Sequence, residues 1–179
     1  MATSGLFHFV LLSGSRVTVQ IRAEPPDIIP EFRLVRPNPE VYSTTRKRIE
    51  QTYSVGGRWS FISFGREPIQ SRDSSHPLLG NYGVVYDLTL NLENRTNDRN
   101  AADVVFDPSA GVARGVFIVD GKMIETSHLR PPQEFVLGSY PLAPGERRTV
   151  HVLTMPLAGS NYPARIVVRP RYTIARKLE

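Results

Sequence analysis

The stretch from Tyr82 to Glu93 reads YGVVYDLTLNLE and decides the fold. Large apolar side chains stand at every second position, and the residues between them are mostly small or polar. A period of two places alternate side chains on opposite faces of a strand, whereas a helix would need a period of about 3.6. The segment therefore predicts a β-strand with one buried face and one solvated face.

The rest of the chain favours more strands of this kind. Its 15 prolines and 13 glycines fall between apolar runs, as in proteins built from short strands and turns. The pair Asp120-Gly121 separates two such runs and predicts a tight hairpin. Further strands are predicted over residues 58–66, 104–106, 115–119, 122–125, 134–140, 148–153 and 164–168. Together they predict an all-β fold, an immunoglobulin-like antiparallel β-sandwich.

The first 54 residues are predicted to form a separate part, with the sandwich spanning residues 55–179. Residues 6–23 are predicted to form an N-terminal β-hairpin. Residues 24–40 are predicted to form an extended proline-rich connector, because their prolines are incompatible with a helix interior or a central strand. This part is either docked on the sandwich or belongs to a preceding domain. The segment from Ser43 to Tyr53 is expected to form a short helix with Ser43 as its N-cap.

Composition limits the classes of partner. The formal net charge is +5, but the basic residues are scattered along the chain, which favours a solvated surface over a nucleic-acid site. No apolar run approaches the ~20 residues of a membrane span, so none is predicted. No basic residue precedes the apolar run from Leu6 to Leu12, so a signal peptide is not expected in this chain.

Residues with catalytic or metal-binding chemistry form no motif. The chain has no cysteine, which excludes thiolate zinc sites and cysteine nucleophiles. His8, His76, His128 and His151 have no metal-ligand spacing, and neither a Gly-x-Ser-x-Gly elbow nor a phosphate-binding glycine loop occurs. We therefore predict no catalytic residue, no metal and no cofactor. A hydrolase with an unrecognised site stays open as an alternative, because catalytic triads are spatial arrangements.

Acidic side chains and one polar loop have two interpretations each. Four carboxylates could serve in glycoside cleavage, but the favoured interpretation is that they lie on the polar outer faces of strands. They are Asp87, Glu93, Asp103 and Asp107. The loop from Glu93 to Asn100 is rich in oxygen atoms, and a turn is favoured over a calcium site there. Asn94-Arg95-Thr96 is a formal glycosylation acceptor.

An Asn-Tyr pair occurs twice, each time beside glycine or proline and before a strong strand. The two copies are Gly80-Asn81-Tyr82-Gly83 and Ser160-Asn161-Tyr162-Pro163. Exposed tyrosine beside asparagine suits sugar stacking or protein contact, which makes these four residues binding candidates. The alternative is that each asparagine forms a local turn while each tyrosine packs into the core, and this alternative is favoured.

One segment carries a resemblance to known proteins. The run GNYGVVYDLTL from Gly80 to Leu90, followed by Glu93-Asn94-Arg95-Thr96, resembles a family of uncharacterised bacterial cell-envelope proteins that includes cyanobacterial members. The turn Pro144-Gly145-Glu146-Arg147 is similar to the same group. The resemblance implies an exported β domain in the periplasm or cell envelope. It implies no activity.

Three hypotheses follow for function. The first is a non-catalytic structural or interaction module that contacts a protein partner through a sandwich face or edge, and it predicts an apolar patch or a bare edge strand. The second is a module that binds carbohydrate or an envelope polysaccharide, and it predicts tyrosines on one exposed surface. The third is a hydrolase, which requires a pocket lined by histidine and carboxylate. The oligomeric state is left open.

Overall fold

A computed structural model describes residues 46–70, 79–157 and 159–171. The predicted N-terminal hairpin and proline-rich connector lie outside these ranges. Within the described ranges, nine strands follow one another, with a short 3₁₀ turn at Leu79–Asn81. The strands are β1 (Arg46–Ser54), β2 (Ser60–Phe64), β3 (Val85–Glu93), β4 (Asn100–Asp107), β5 (Val116–Val119), β6 (Lys122–Glu125), β7 (Phe135–Leu142), β8 (Arg147–Thr154) and β9 (Ala164–Pro170).

The strands form two sheets that pack face to face, which confirms the predicted all-β sandwich. One sheet has five strands in the order β1-β3-β8-β5-β6, and the other has four in the order β2-β9-β4-β7. Neighbouring strands are antiparallel except β1 and β3, which run parallel over nine residue pairs. Consecutive strands often change sheets, so residues distant in sequence meet across the core.

The core lies between the two sheets and follows the alternation of the sequence. In β3 the residues from Tyr86 to Leu92 alternate between fully buried and partly exposed, as its period of two predicts. Leu88 and Leu90 pair with Val152 and Val150 of β8, and all four are 0% exposed. Each such side chain contributes about 1.5–3 kcal/mol by leaving water. The opposing sheet contributes Phe64, Phe106, Leu142, Ile166 and Val168.

The predicted helix over Ser43–Tyr53 is wrong, because Arg46–Ser54 forms strand β1. Its charged side chains Arg46, Arg48 and Glu50 are exposed, while Tyr53 is buried. This alternation suits an edge strand, and β3 supplies the hydrogen-bonding partner that the segment alone does not reveal. The sandwich therefore includes residues on the N-terminal side of residue 55 and begins no later than Arg46.

The predicted hairpin turn at Asp120-Gly121 joins β5 to β6. Both residues have positive φ, 48° and 81° respectively, as a type I′ turn requires. The backbone N–H of His151 donates to the Asp120 carboxylate at 2.8 Å, which ties the hairpin to β8. The turn thus fixes the position of a short edge strand at the end of the five-stranded sheet.

Candidate binding surfaces

The two Asn-Tyr motifs meet at one end of the sandwich. The ring of Tyr82 meets that of Tyr162 edge to face, with centroids 5.7 Å apart and an interplanar angle of 88°. The Tyr82 hydroxyl also donates to the carbonyl of Ser160 at 2.8 Å. The loop before β3 and the loop before β9 are therefore held together by residues that the sequence singled out.

Asn81 is structural, since it is fully buried in the left-handed conformation with φ of 51°. Its side-chain oxygen accepts from the backbone N–H of Ile69 at 3.2 Å. Its amide nitrogen donates to the carbonyl of Glu67 and to the hydroxyl of Tyr86, at 2.8 and 2.7 Å. Asparagine tolerates this conformation better than most residues, and here all its hydrogen bonds are internal.

Tyr162 is also mostly buried, and Phe64 packs against its ring. Its hydroxyl donates to the carbonyl of Arg114 and accepts from the N–H of Leu157, both at 3.3 Å. Burial raises the pKa of this hydroxyl to about 12, so it stays neutral at physiological pH. Of the four candidates, Tyr82 and Asn161 are exposed, Tyr162 is partly buried and Asn81 is buried.

The carboxylates considered for catalysis are engaged on the outer faces of strands. Asp87 pairs with Arg46 at 2.6 Å, and Glu93 pairs with Arg95 at 2.6 Å. The hydrogen bond from Arg95 lowers the pKa of Glu93. Asp107 pairs with Arg165 on β9, and Asp103 accepts from the Ser139 hydroxyl. These partners account for each carboxylate without a substrate.

No group of three or more histidine and carboxylate side chains converges as a metal site within the described ranges. His128 and His151 are exposed there, while His8 and His76 lie outside those ranges. In the same part of the chain, no helix is long and apolar enough to cross a membrane. A shallow groove between β1 and β3 is lined by Arg48, Ile49, Glu50, Asp87 and Thr89.

Asn94 pins the polar loop after β3. It is 1% exposed, and its amide nitrogen donates to the carbonyls of Asp98, Leu142 and Ala143. Its side-chain oxygen accepts from the N–H and hydroxyl of Thr96. The segment is a turn, as expected, and the nitrogen that would carry a glycan is buried and bonded. The formal glycosylation acceptor is therefore closed in the folded protein.

The outer face of the four-stranded sheet has an apolar centre that the protein covers itself. Val105 and Val167 pair across β4 and β9, lie outside the inter-sheet core, and are 0% and 1% exposed. Two arginine ladders flank this centre, and we call this outer face the covered face. Away from its centre, Trp59, Phe61 and Val136 remain 41%, 50% and 45% exposed. In one ladder, the guanidinium of Arg169 lies 4.8 Å from the ring of Trp59 and forms an ion pair with Glu134. In the other, the guanidinium of Arg165 lies 5.1 Å from the ring of Phe61 and forms an ion pair with Asp107.

The outer face of the five-stranded sheet has an apolar centre that stays exposed. Ile118 of β5 pairs with Leu153 of β8 on one side and with Met123 of β6 on the other. Met155 follows immediately after β8 on the same face by alternation. Ile118, Met123 and Met155 are 42%, 70% and 41% exposed. We call the side chains of Ile118, Met123, Leu153 and Met155 the open face.

Charged groups border the open face on three sides. Asp87 lies beside Leu153 and is bonded to Arg46, while Glu125 at the end of β6 is paired with Arg114. Asp120 lies in the hairpin turn. This surface was not predicted from the sequence, although a signal was present. Ile118 and Met123 are apolar at positions where alternation with buried Phe117 and Val119 calls for polar residues.

Comparisons with known proteins add no assignment. No family model matches the chain, and no curated protein does. Among solved structures, the chain is similar to a GH26-CBM35 β-(1,4)-mannanase from Podospora anserina, with a TM-score of 0.28 and 11% identity. The match covers 63% of this chain and 23% of the mannanase chain. A TM-score of that size carries no argument about function.

Proposed function

We propose that this chain is a non-catalytic interaction module that binds a protein partner through the open face. The observation that carries the proposal is the exposure of Ile118, Met123 and Met155 on one sheet face. A contiguous apolar patch with a charged rim is typical of protein-protein contact sites. Two of the three large exposed side chains are methionines, whose flexibility suits adaptable interfaces.

The covered face strengthens this interpretation. There Arg165 and Arg169 stand on either side of Val167 along β9, and both guanidinium groups are held by carboxylates. The centre of this apolar row is thus shielded within one chain, while Phe61 and Val136 at its two ends stay exposed. Within the described ranges, no comparable ladder crosses Ile118 and Met123. A partner supplies that cover in our proposal.

The resemblance to cell-envelope proteins suggests where such a module works. We place it in the periplasm or cell envelope of a bacterium, where a folded β domain contacts another envelope protein. The non-catalytic character is supported by the carboxylates, because Asp87, Glu93 and Asp107 are all held in ion pairs. These ion pairs give the three carboxylates structural roles on the strand faces.

Carbohydrate binding is a second candidate, favoured by Tyr82. Its ring is 40% exposed, and Asn161 is exposed in the adjoining loop. An aromatic ring next to an amide suits stacking and hydrogen bonding to a sugar. Only one of the two tyrosines offers this surface, because Tyr162 is packed behind Tyr82. Tyr82→Ala should abolish binding to an envelope polysaccharide if this candidate holds, and should leave protein binding unchanged.

The test of the main proposal is site-specific photocrosslinking in the native host. A photoreactive residue replaces Met123 on the open face, and in a matched control it replaces Val136, which is 45% exposed on the opposite sheet. We expect a discrete adduct with one protein from position 123 only. Ile118→Lys should abolish that adduct. Equal labelling at both positions, or no adduct at position 123, would contradict the proposal.

A further inference from the structure

We infer that reversible oxidation of Met123 and Met155 controls partner binding at the open face. This inference rests on the proposed function, because both thioethers belong to the surface that the partner covers. The chain has three methionines and no cysteine, so thioethers are its only sulfur groups. Met1 lies outside the described ranges, and the other two methionines both lie on the open face. In the described part of the chain, the oxidisable sulfur atoms are therefore concentrated where the partner binds.

The two methionines border the centre of the open face. Ile118 pairs with Met123 across the β5–β6 ladder and with Leu153 across the β5–β8 ladder. Met155 comes two residues after Leu153, so it projects from the same face of the sheet at the next outward position. Oxidation at both positions would therefore place polar groups on two sides of Ile118.

Oxidants reach these side chains without any unfolding of the chain. Met123 is 70% exposed and Met155 is 41% exposed, so Met123 is expected to react first. Oxidation of a buried methionine would disrupt core packing, but the described part of the inter-sheet core contains none. The modification therefore changes the surface of the sandwich and leaves its interior as it is.

The chemical step is a two-electron oxidation of the thioether sulfur by hydrogen peroxide. The O–O bond of the peroxide breaks, one oxygen forms the S–O bond of a sulfoxide, and the other leaves as water. Methionine sulfoxide reductases reverse the step. In the reversal, a dithiol supplies two electrons and becomes a disulfide, and the sulfoxide oxygen leaves as water. The modification can therefore be written and erased on the folded chain.

A sulfoxide changes what the open face can bury. Its oxygen accepts hydrogen bonds, which water provides in the free chain and an apolar partner surface does not. On the charged rim, the guanidinium groups of Arg46 and Arg114 are already engaged by Asp87 and Glu125. Burying an acceptor without a donor should weaken binding by about tenfold or more for each sulfoxide. The oxidised face therefore stays in water, and the partner is released.

The covered face lacks this sensitivity. Its exposed apolar side chains are those of Trp59, Phe61 and Val136, and none of them contains sulfur. Methionine oxidation therefore changes the polarity of one outer face and not of the other. A methionine introduced at position 136 provides a matched control, because Val136 is 45% exposed and Met155 is 41% exposed.

The test uses the purified full chain with a photoreactive residue at position 118, which leaves both methionines in place. One sample stays reduced, and a second is treated with hydrogen peroxide and then freed of it. A third is treated in the same way and then repaired with methionine sulfoxide reductases and a dithiol. Each is irradiated in an extract of the native host, so the partner itself is never oxidised. Oxidation should lower the yield of the protein adduct by about tenfold or more, and repair should restore it.

Leucine variants identify the residues responsible. The double variant Met123→Leu/Met155→Leu keeps the face apolar, so it should form the adduct before and after peroxide treatment. It retains Met1, which controls for oxidation elsewhere in the chain. Adding Val136→Met to this double variant places a thioether on the opposite sheet. Peroxide should oxidise that methionine without changing the adduct yield.

The midpoint of chemical denaturation should be the same in the reduced and oxidised chains, because neither methionine lies in the core. An adduct that survives oxidation of the unmodified methionines would overturn the inference and leave the proposed function intact. An equal loss in the leucine double variant, or a loss explained by a lower denaturation midpoint, would overturn it as well. A reduced chain that forms no adduct would contradict the proposed function, and the inference with it.

Discussion

The two outer faces of this sandwich differ in how far the apolar residues at their centres are exposed to solvent. Each has apolar residues at the centre of a solvent-facing sheet. On the covered face, Val105 and Val167 are 0% and 1% exposed between the arginine ladders, while Phe61 and Val136 beside them are 50% and 45% exposed. On the open face, Ile118 and Met123 stay 42% and 70% exposed. The difference indicates that an apolar outward position is stabilising on one face and available for binding on the other.

The largest expected effect comes from placing a charge at each centre. Val105→Asp places a carboxylate at a position that is 0% exposed, beside arginines already paired with other carboxylates, and should lower the free energy of unfolding by about 3 kcal/mol or more. Ile118→Asp places the same group in solvent and should change it by less than about 0.5 kcal/mol. Chemical denaturation of both variants measures the contrast. Equal losses would show that the two faces do not differ.

The two tyrosines extend the comparison to a single contact, since Tyr162 is partly buried while Tyr82, which meets it edge to face, is exposed. The pKa of Tyr162 is raised from 10.0 to about 12, so the folded state holds its proton longer than the unfolded state. The stabilisation of the folded state by the protonated Tyr162 hydroxyl is fully present below pH 10, and it is lost as the pH rises toward 12. We expect about 2 kcal/mol of stability to disappear across this window. Denaturation at several alkaline pH values measures the loss.

Tyr162→Phe provides the control, because phenylalanine keeps the ring and has no proton to lose. That variant should lose less stability than the unmodified protein between pH 10 and 12. Tyr82→Phe should leave the alkaline loss intact. An identical alkaline loss in all three proteins would exclude Tyr162 as its source.

Removing an arginine ladder should expose the valines at the centre of the covered face. Arg169→Ala deletes the stem that lies between Trp59 and Glu134, and should cost about 1 kcal/mol through lost packing more than lost charge. Arg169→Met keeps most of the stem and should cost less. Thermal unfolding ranks the variants, and binding of a hydrophobic dye reports the newly exposed valines. Unchanged dye binding in the alanine variant would mean that the ladders do not provide the cover.

The smallest effect on stability is expected for Ile118→Thr on the open face. Threonine retains β-branching and strand propensity, so the free energy of unfolding should change by less than about 0.5 kcal/mol. Binding to the crosslinked partner should nevertheless fall, because the patch loses an apolar side chain at its centre. Denaturation and quantified crosslinking on the same preparation separate the two effects. A large loss of stability would indicate that Ile118 belongs to the core.

Much of the fold could be predicted from sequence because its strands carry their own pattern. The alternation in β3 and the Asp120-Gly121 turn each follow from local chemistry, and the structure has both. Strand β1 was predicted as a helix because its register depends on β3, which lies 39 residues further along the chain. Local propensity does not contain that information.

The binding candidates show the same limit. The two Asn-Tyr motifs were identified as a pair, and the structure brings their tyrosines into contact. Which tyrosine is exposed depends on tertiary packing that spacing does not reveal. The open face depends on the register of three strands, β6, β5 and β8, so no single segment displays it. Apolar residues at the outward positions of β5 and β6 were its local signal.

The most direct test of the central claim is hydroxyl-radical footprinting of the chain alone and in its native cells. Met123 and Met155 should oxidise readily in the isolated protein and be protected in the native setting, where a partner covers them. Trp59 on the covered face, 41% exposed, should react equally in both. Equal oxidation of the methionines in both settings would contradict the claim that the open face is a protein-binding site.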